Sequence, residues 1–213
     1  MEFNHRPVML NEAVTSLNIK RGGIYVDATA GGGGHSFEIA RRMSEAEYED
    51  RDAAESVKDI NSDNYKKNNS GIGRLICLDR DPDAVKAARK RLENFSNVTI
   101  VNINYSQIDE ALKQLDIDKV DGVLMDLGVS SFQLDEAERG FSYHSDAHLD
   151  MRMDKQGKSA EDIVNGSSEQ EIADILFKYA DEKYSRRIAS AIVKARQERR
   201  IETTGQLSDI VAS

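Results

Sequence analysis

The chain has one cysteine in 213 residues, so no internal disulfide can form, and a reducing cytoplasm suits it. It has no apolar run long enough to span a bilayer, and Met1 to Lys20 shows no signal-peptide core. No internal repeat and no Cys/His cluster at metal-ligand spacing is visible, so a solenoid and a structural zinc site are not expected. Excess positive charge is missing too: the net charge is −9, and any nucleic-acid contact would have to come from local clusters of Lys and Arg. With 39% hydrophobic and 31% charged residues, the composition is that of an ordinary if polar globular chain, long enough to bury a core.

What the chain does have is IYVDATAGGGGHSFEIARRM, Ile24 to Met43. A short β-branched and aromatic run ends in Asp27, four glycines follow, and an amphipathic segment opens at His35-Ser36. Strand, glycine turn and helix form the first half of a nucleotide-binding βαβ unit. The dinucleotide fingerprint G-x-G-x-x-G is incomplete in either register, because Ser36 or Phe37 stands at the third glycine position. No lysine follows as a phosphate loop requires. An acid at the strand end followed by Gly31-x-Gly33 instead looks like the first motif of S-adenosylmethionine (AdoMet) methyltransferases. A glycine-rich surface loop is the plainer alternative.

The second strand, RLICL from Arg74 to Leu78, ends in Asp79-Arg80-Asp81-Pro82. A carboxylate here can accept both hydroxyls of a ribose, which points to Asp79. Asp81 is equally well read as a helix N-cap before Pro82. Val85, Ala88, Leu92 and Phe95 then recur at helical spacing. Strand three is expected over Val98–Ile103 and strand four over Val120–Met125, the latter running into Asp126-Leu127-Gly128. Four strands alternating with helices imply a parallel sheet with its ligand site at the carboxyl ends.

Downstream, Ser168 and Glu171 predict a capping box, with Ile172, Ile175, Leu176 and Tyr179 on one helical face. Lys183, Arg186, Arg187, Lys194, Arg196, Arg199 and Arg200 fall in one helical stretch with Ile188, Ile192 and Ala195 on its apolar side. That stretch reads either as a solvated face or as an RNA-facing one. Nothing from Leu134 to Thr204 reads as a central strand, so a helical insertion after strand four is expected. Cys77 lies within strand two, a poor place for the nucleophile of carbon-5 pyrimidine methylation.

HRPVMLNEAV (His5–Val14), DATAGGGGHS, LDRDP, DGVLMDLGVSSFQLDEAERGFSY (Asp121–Tyr143) and LDMRMD (Leu149–Asp154) together resemble the RsmH/MraW family, along nearly the whole chain. The resemblance implies a Rossmann-like AdoMet-dependent α/β methyltransferase fold with an inserted helical domain. It implies methylation of N4 of a cytidine in the decoding region of bacterial 16S ribosomal RNA, with small-subunit RNA as partner and a cytoplasmic location. It implies AdoMet contacts at Gly33, Gly34, His35, Asp79, Tyr105, Asp126 and Gln133. Asp126, at the end of strand four where amino-methyltransferases place a hydrogen-bond acceptor for the target amine, is the candidate catalytic residue, and no metal is expected.

The corresponding domains are 1–133 for the AdoMet-binding domain, 134–204 for the helical insertion and 205–213 for the start of a return to the first. Three departures from the family stand out. Residues 44–71 form a polar insertion, expected to be solvated. His148 replaces a usual proline. Family members continue past the position of Ser213, so a C-terminally truncated sequence is expected.

Phe132, Phe141 and Tyr143 are candidates to stack the target base, or are core residues. Asp150 and Asp154 either shape the pocket or hold the insertion down, and Arg152 is read first as an ion-pair partner. A non-catalytic AdoMet-binding fragment, or a methyltransferase acting on another nucleic-acid amine, is the competing reading. An NAD-dependent oxidoreductase is disfavoured by the broken glycine fingerprint.

Overall fold

The structure is a computed structural model that describes residues 7–55 and 73–213, apart from the side chains of residues 47–55, 131 and 132. The chain divides into two compact units, Met1–Gly128 and Val129–Ser213.

The first unit is built on strands β1 (Ile24–Asp27), β2 (Arg74–Asp79), β3 (Val98–Asn102) and β4 (Gly122–Leu124). All pairings are parallel and the order is β3-β2-β1-β4. Side chains alternate across a strand, and here both faces are covered. Tyr25, Leu75 and Cys77 face a core shared with helices α1 (Leu10–Ser16), α2 (Gly34–Glu55) and α3 (Pro82–Arg91). Val26, Ile76 and Leu78 face the other core, with Ala111 of helix α4 (Ile108–Gln114) and Ile117 beyond it. Two-sided burial explains why IYV and RLICL are continuous apolar runs rather than alternating ones.

Helix α3 starts as its sequence predicts. Asp81 caps it by accepting the Asp83 N–H at 3.0 Å, and Pro82 occupies the first turn. Ala84, Val85, Ala88 and Leu92 are buried. Strand β4 is shorter than expected: only Gly122–Leu124 pair, against β1. Val120 packs below the sheet outside the strand, and Asp121 turns its carboxylate to the Ile24 N–H at 2.8 Å. The start of the polar insertion extends α2 as helix to Glu55, and the insertion's residues 56–71 lie outside the described residues.

The second unit is helical: α5 (Ser131–Asp135), α6 (Ala160–Gly166), α7 (Glu169–Ala180), α8 (Ser185–Glu198) and α9 (Thr204–Ala212). Its described residues form no strand, only an isolated bridge between His148 and Thr203. Three capping boxes start its helices: Ser159/Asp162, the expected Ser168/Glu171, and Thr203/Gln206. Leu149, Val164, Ile172, Ala173, Ala189, Ile192 and Ile201 form its core, with Leu207 and Ile210 of α9 packed against it. One expected face fails in part: Ile175 and Tyr179 of α7 are 37% and 85% exposed and do not share the buried face of Ile172.

Candidate functional site

In a sheet of order 3-2-1-4, the chain steps outward from β1 to β2 and β3 and then crosses back to β4 on the other side of β1, and a crevice opens where the order reverses. The loops after β1, β2 and β4 meet there through short hydrogen bonds. Thr29 Oγ1 accepts the Asp126 N–H at 2.7 Å, joining the turns after β1 and β4. Asp79 accepts the Gly31 N–H at 2.7 Å and the Asp81 N–H at 2.8 Å, joining the turns after β1 and β2. The Asp79 carbonyl accepts from Ile103 N–H and the Asn102 side chain, bringing in β3. Burial pushes the Asp79 carboxyl above its ordinary value, and the two N–H donors oppose that rise.

The glycine turn needs its glycines for two reasons. Gly31 and Gly33 have φ of 52° and 79°, which a side chain adopts only at a cost. A Cβ on Gly33 would also sit 3.3 Å from Cα of Ala88, so the turn packs directly on α3. A Cβ on Gly34 would collide with the Pro7 ring.

Beneath the turn, Asp27 is fully buried. It accepts the Ser36 hydroxyl at 2.6 Å and the Thr29 N–H at 3.2 Å, and burial raises its carboxyl pKa. Asp27 thus ties the end of β1 to the first turn of α2. Cys77 lies fully buried nearby with its thiol pushed up by desolvation, which suits the reading that it is no nucleophile.

His35, in the first turn of α2, is buried, with Nε2 3.1 Å from the Val8 carbonyl. Its Nδ1 lies 4.0 Å from Oδ2 of Asp126, whose side chain is 55% exposed. Tyr105, opening the 3-10 turn Tyr105–Gln107 after β3, is exposed. The first unit therefore brings together Gly33, Gly34, His35, Asp79 and Asp126 around the carboxyl ends of the strands, with Tyr105 following β3. The remaining expected contact, Gln133, belongs to the second unit, buried in α5, where its Oε1 accepts the Ser130 N–H at 3.0 Å.

Gly31, Thr29 and Ser36 carry the geometry of this turn without having been singled out as contacts. All three lie inside the DATAGGGGHS stretch, and Gly31-x-Gly33 was the local signal.

In the second unit Arg152 is an ion-pair residue, as expected: Nε and Nη2 clasp Asp150 at 3.0 and 2.7 Å, and Arg152 holds that carboxyl below its ordinary value. Arg139 donates to the carbonyls of Arg152 and Met153, so LDMRMD is tied to ERGF. Its guanidinium lies 5.9 Å over the Phe141 ring. Tyr143 is 70% exposed, and the Phe132 side chain lies outside the described residues. His148 contacts Glu161 at 2.9 Å.

The profile of the MraW methylase family matches residues 2–70 and 62–213. A protein named ribosomal RNA small subunit methyltransferase H from Clostridium botulinum (strain Kyoto / Type A2) is 48% identical over 212 residues, 99% of this chain and 60% of that one. Proteins of the same name from Finegoldia magna and Lachnospira eligens are 45% and 46% identical over 213 residues, covering 60% and 59% of their lengths. The chain thus spans about three fifths of the length of these relatives. A sheet of order 3-2-1-4, a glycine turn pinned by Asp79 and a profile match along the chain agree: this protein belongs to the MraW methylase family.

Proposed function

We propose that the chain binds AdoMet at the carboxyl ends of β1, β2 and β4 and serves methyl transfer to N4 of a cytidine in the decoding region of bacterial small-subunit ribosomal RNA, in the cytoplasm. The observation that carries this reading is the acid-pinned glycine turn: Asp79 on the Gly31 N–H, in a chain whose relatives bear a ribosomal RNA methyltransferase name.

The residues present fit the cofactor. A carboxylate offers about four lone-pair sites. Asp79 gives two to backbone N–H groups, which leaves acceptor capacity for a ribose diol. Exposed Tyr105 follows β3 with a ring face suited to an adenine. No lysine follows the glycines, which suits a ligand without phosphate. AdoMet, when bound, supplies a methyl group already activated by its sulfonium.

The rest falls to the chain's own groups. The cytosine amine is a weak nucleophile because its lone pair is delocalised into the ring. Asp126, exposed and anchored through its own N–H to Thr29, can accept a hydrogen bond from that amine and orient it. His35 stands beside this carboxylate, with Nε2 3.1 Å from the Val8 carbonyl and Nδ1 4.0 Å from Asp126 Oδ2. Gln133 would add a cofactor contact, and exposed Tyr143 is the aromatic offered for stacking the base. Transfer is direct, without a covalent enzyme intermediate.

A second reading, cofactor binding without transfer, draws on the relatives' greater length. The test is calorimetric titration with AdoMet, followed by tritium transfer from labelled AdoMet to small ribosomal subunits that lack the modification. Binding plus label on cytosine N4 is the expected result. Binding without label selects the second reading, and label on carbon-5 or a ribose oxygen overturns the N4 assignment.

A further inference from the structure

Helix α8 divides its cations between two jobs. Its inner side, Ser185, Ala189 and Ile192, is buried in the second unit. Arg196 follows that side inward: Nη1 donates to the carbonyls of Val164 and Ser167 at 2.8 and 2.7 Å, closing the end of α6. Arg200, just past α8, meets Glu161 at 2.6 Å.

The opposite side of α8 is different. At 100° per residue, Arg186, Arg187, Ser190, Lys194 and Gln197 share one arc, and all five are exposed. Glu198, at the helix end, is the acid of that arc. Among the described residues no carboxylate pairs with Arg186, Arg187 or Lys194. Arg187 instead lies 5.7 Å over the ring of Tyr184, itself 66% exposed.

We propose that this strip, Arg186, Arg187 and Lys194 with Tyr184, is where the second unit grips the phosphate backbone of an RNA strand. The proposal rests on the RNA substrate of the proposed function and adds the surface that holds it. Charge complementarity favours this occupant. In a chain of net charge −9, a strip of cations without carboxylate partners offers a local field that phosphates can use. Arg186 and Lys194 stand about 12 Å apart along the axis, a length over which a strand presents several phosphates. Ser190 and Gln197 between them can hydrogen-bond phosphate or sugar oxygens. A tyrosine with a guanidinium on its face is a stacking platform for an unpaired base.

The experiment compares the parent chain with two triple variants of equal charge change. One is Arg186→Glu, Arg187→Glu, Lys194→Glu. The other reverses three scattered exposed lysines of the first unit: Lys20→Glu, Lys86→Glu, Lys119→Glu. Binding of a labelled, unmodified transcript of the small-subunit decoding region is followed by fluorescence anisotropy from 50 to 200 mM salt. The strip variant should bind roughly tenfold more weakly or worse. Its slope of log affinity against log salt should be shallower by about 2, as when three phosphates of a single strand are no longer neutralised. The scattered variant should stay near the parent.

Equal losses in both variants would mean that only net charge matters, and an unchanged slope in the strip variant, or a parent that binds no transcript, would likewise overturn the proposal. If the glutamates unfold the unit, the milder Arg186→Gln, Arg187→Gln, Lys194→Gln chain must show the same change in slope. Calorimetric AdoMet affinity should be equal in all chains, which separates the strip from the cofactor site. RNA binding through the strip without any methyl transfer would sink the proposed function and leave the strip standing. Methyl transfer with RNA binding untouched by the strip variants would do the reverse.

Discussion

Asp79 holds Gly31 across 48 residues of sequence, its Oδ2 accepting the glycine N–H at 2.7 Å while Oδ1 takes the Asp81 N–H at 2.8 Å. One carboxylate therefore shapes the glycine turn and keeps lone pairs for a ligand. Asp79→Ala leaves two N–H groups without their acceptor and removes the ribose partner. AdoMet affinity should fall by about 1–3 kcal/mol, as expected for hydrogen bonds to a charged acceptor. Asp79→Asn should recover only part of this, because its amide can accept one of the two N–H bonds but turns donors toward the other. Isothermal calorimetry on the parent and both variants checks the order; equal affinities would remove Asp79 from the cofactor site.

Gly33 combines a left-handed backbone with contact at Cα of Ala88. Gly33→Ala should destabilise the first unit by about 1–3 kcal/mol through backbone strain and overpacking. It should also weaken AdoMet binding. Gly157 also has positive φ, 70°, but a Cβ there meets nothing within 4 Å. Gly157→Ala carries the strain without the clash and should cost less. Urea midpoints of the two variants, measured side by side, decide whether the contact of the glycine turn with α3 sets the difference.

Two carboxyls give the stability opposite dependences on pH. Glu38 is held down to about 2 by Arg41, which it accepts at 2.9 and 2.8 Å, with Arg42 adding a bond at 2.7 Å. Its folded pKa lies below the ordinary 4.5, so its stabilisation is present above that value and lost as pH falls toward 2. Asp27 is raised above 3.8 by burial, so its contribution is present below that value and lost as pH rises through the folded pKa. Glu38→Gln should therefore be less stable than the parent at pH 6, by about 1 kcal/mol after solvent screening of its exposed arginine partner, with the gap closing toward pH 2. Asp27→Asn should gain on the parent as pH rises from 4 to 7, whatever its absolute stability. Denaturant unfolding across this range reads both trends, and a Glu38→Gln gap that widens on acidification would contradict the first.

The parts of the fold written in local chemistry were legible. Asp27 with its glycines, Asp81-Pro82 and Ser168/Glu171 announce a turn and two helix starts through residues at most a few positions apart, and all three stand in the structure. Capping boxes at Ser159/Asp162 and Thr203/Gln206 carry the same local signature. Long-range pairing is another matter. Nothing near Gly31 says that its N–H is satisfied by a carboxylate on the next strand, and nothing near Arg196 says that it turns inward to α6 while Lys194 stays in water. Tyr179 has the helical phase of Ile172, but phase fixes only a direction on α7, and the side chain is left exposed in its last turn. Residue types and spacing thus indicated the glycine turn and the helix starts well, whereas the partner of each buried polar group needed coordinates.

Asp126 carries the sharpest expectation. Its backbone is fixed by Thr29 Oγ1 and its carboxylate faces the buried His35 at 4.0 Å, yet the side chain is more than half exposed at the strand-order reversal. A residue so placed can act on a ligand without being needed for the core. Asp126→Asn keeps size and one acceptor oxygen but removes the charge, whereas Asp126→Ala removes both. If hydrogen-bond acceptance from the amine is what matters, Asn should retain much of the activity and Ala should lose on the order of a hundredfold or more, within the range for a group that positions and polarises a reacting atom. If the charge matters, both should fall together. Thermal unfolding should move little in either variant. The assay is tritium transfer to unmodified small subunits, run in parallel on the 48%-identical Clostridium botulinum relative with the residue that aligns with Asp126 replaced, so that chain length does not decide the outcome. Full transfer by the Ala variants would exclude Asp126 from the chemistry and leave it as a residue of the turn.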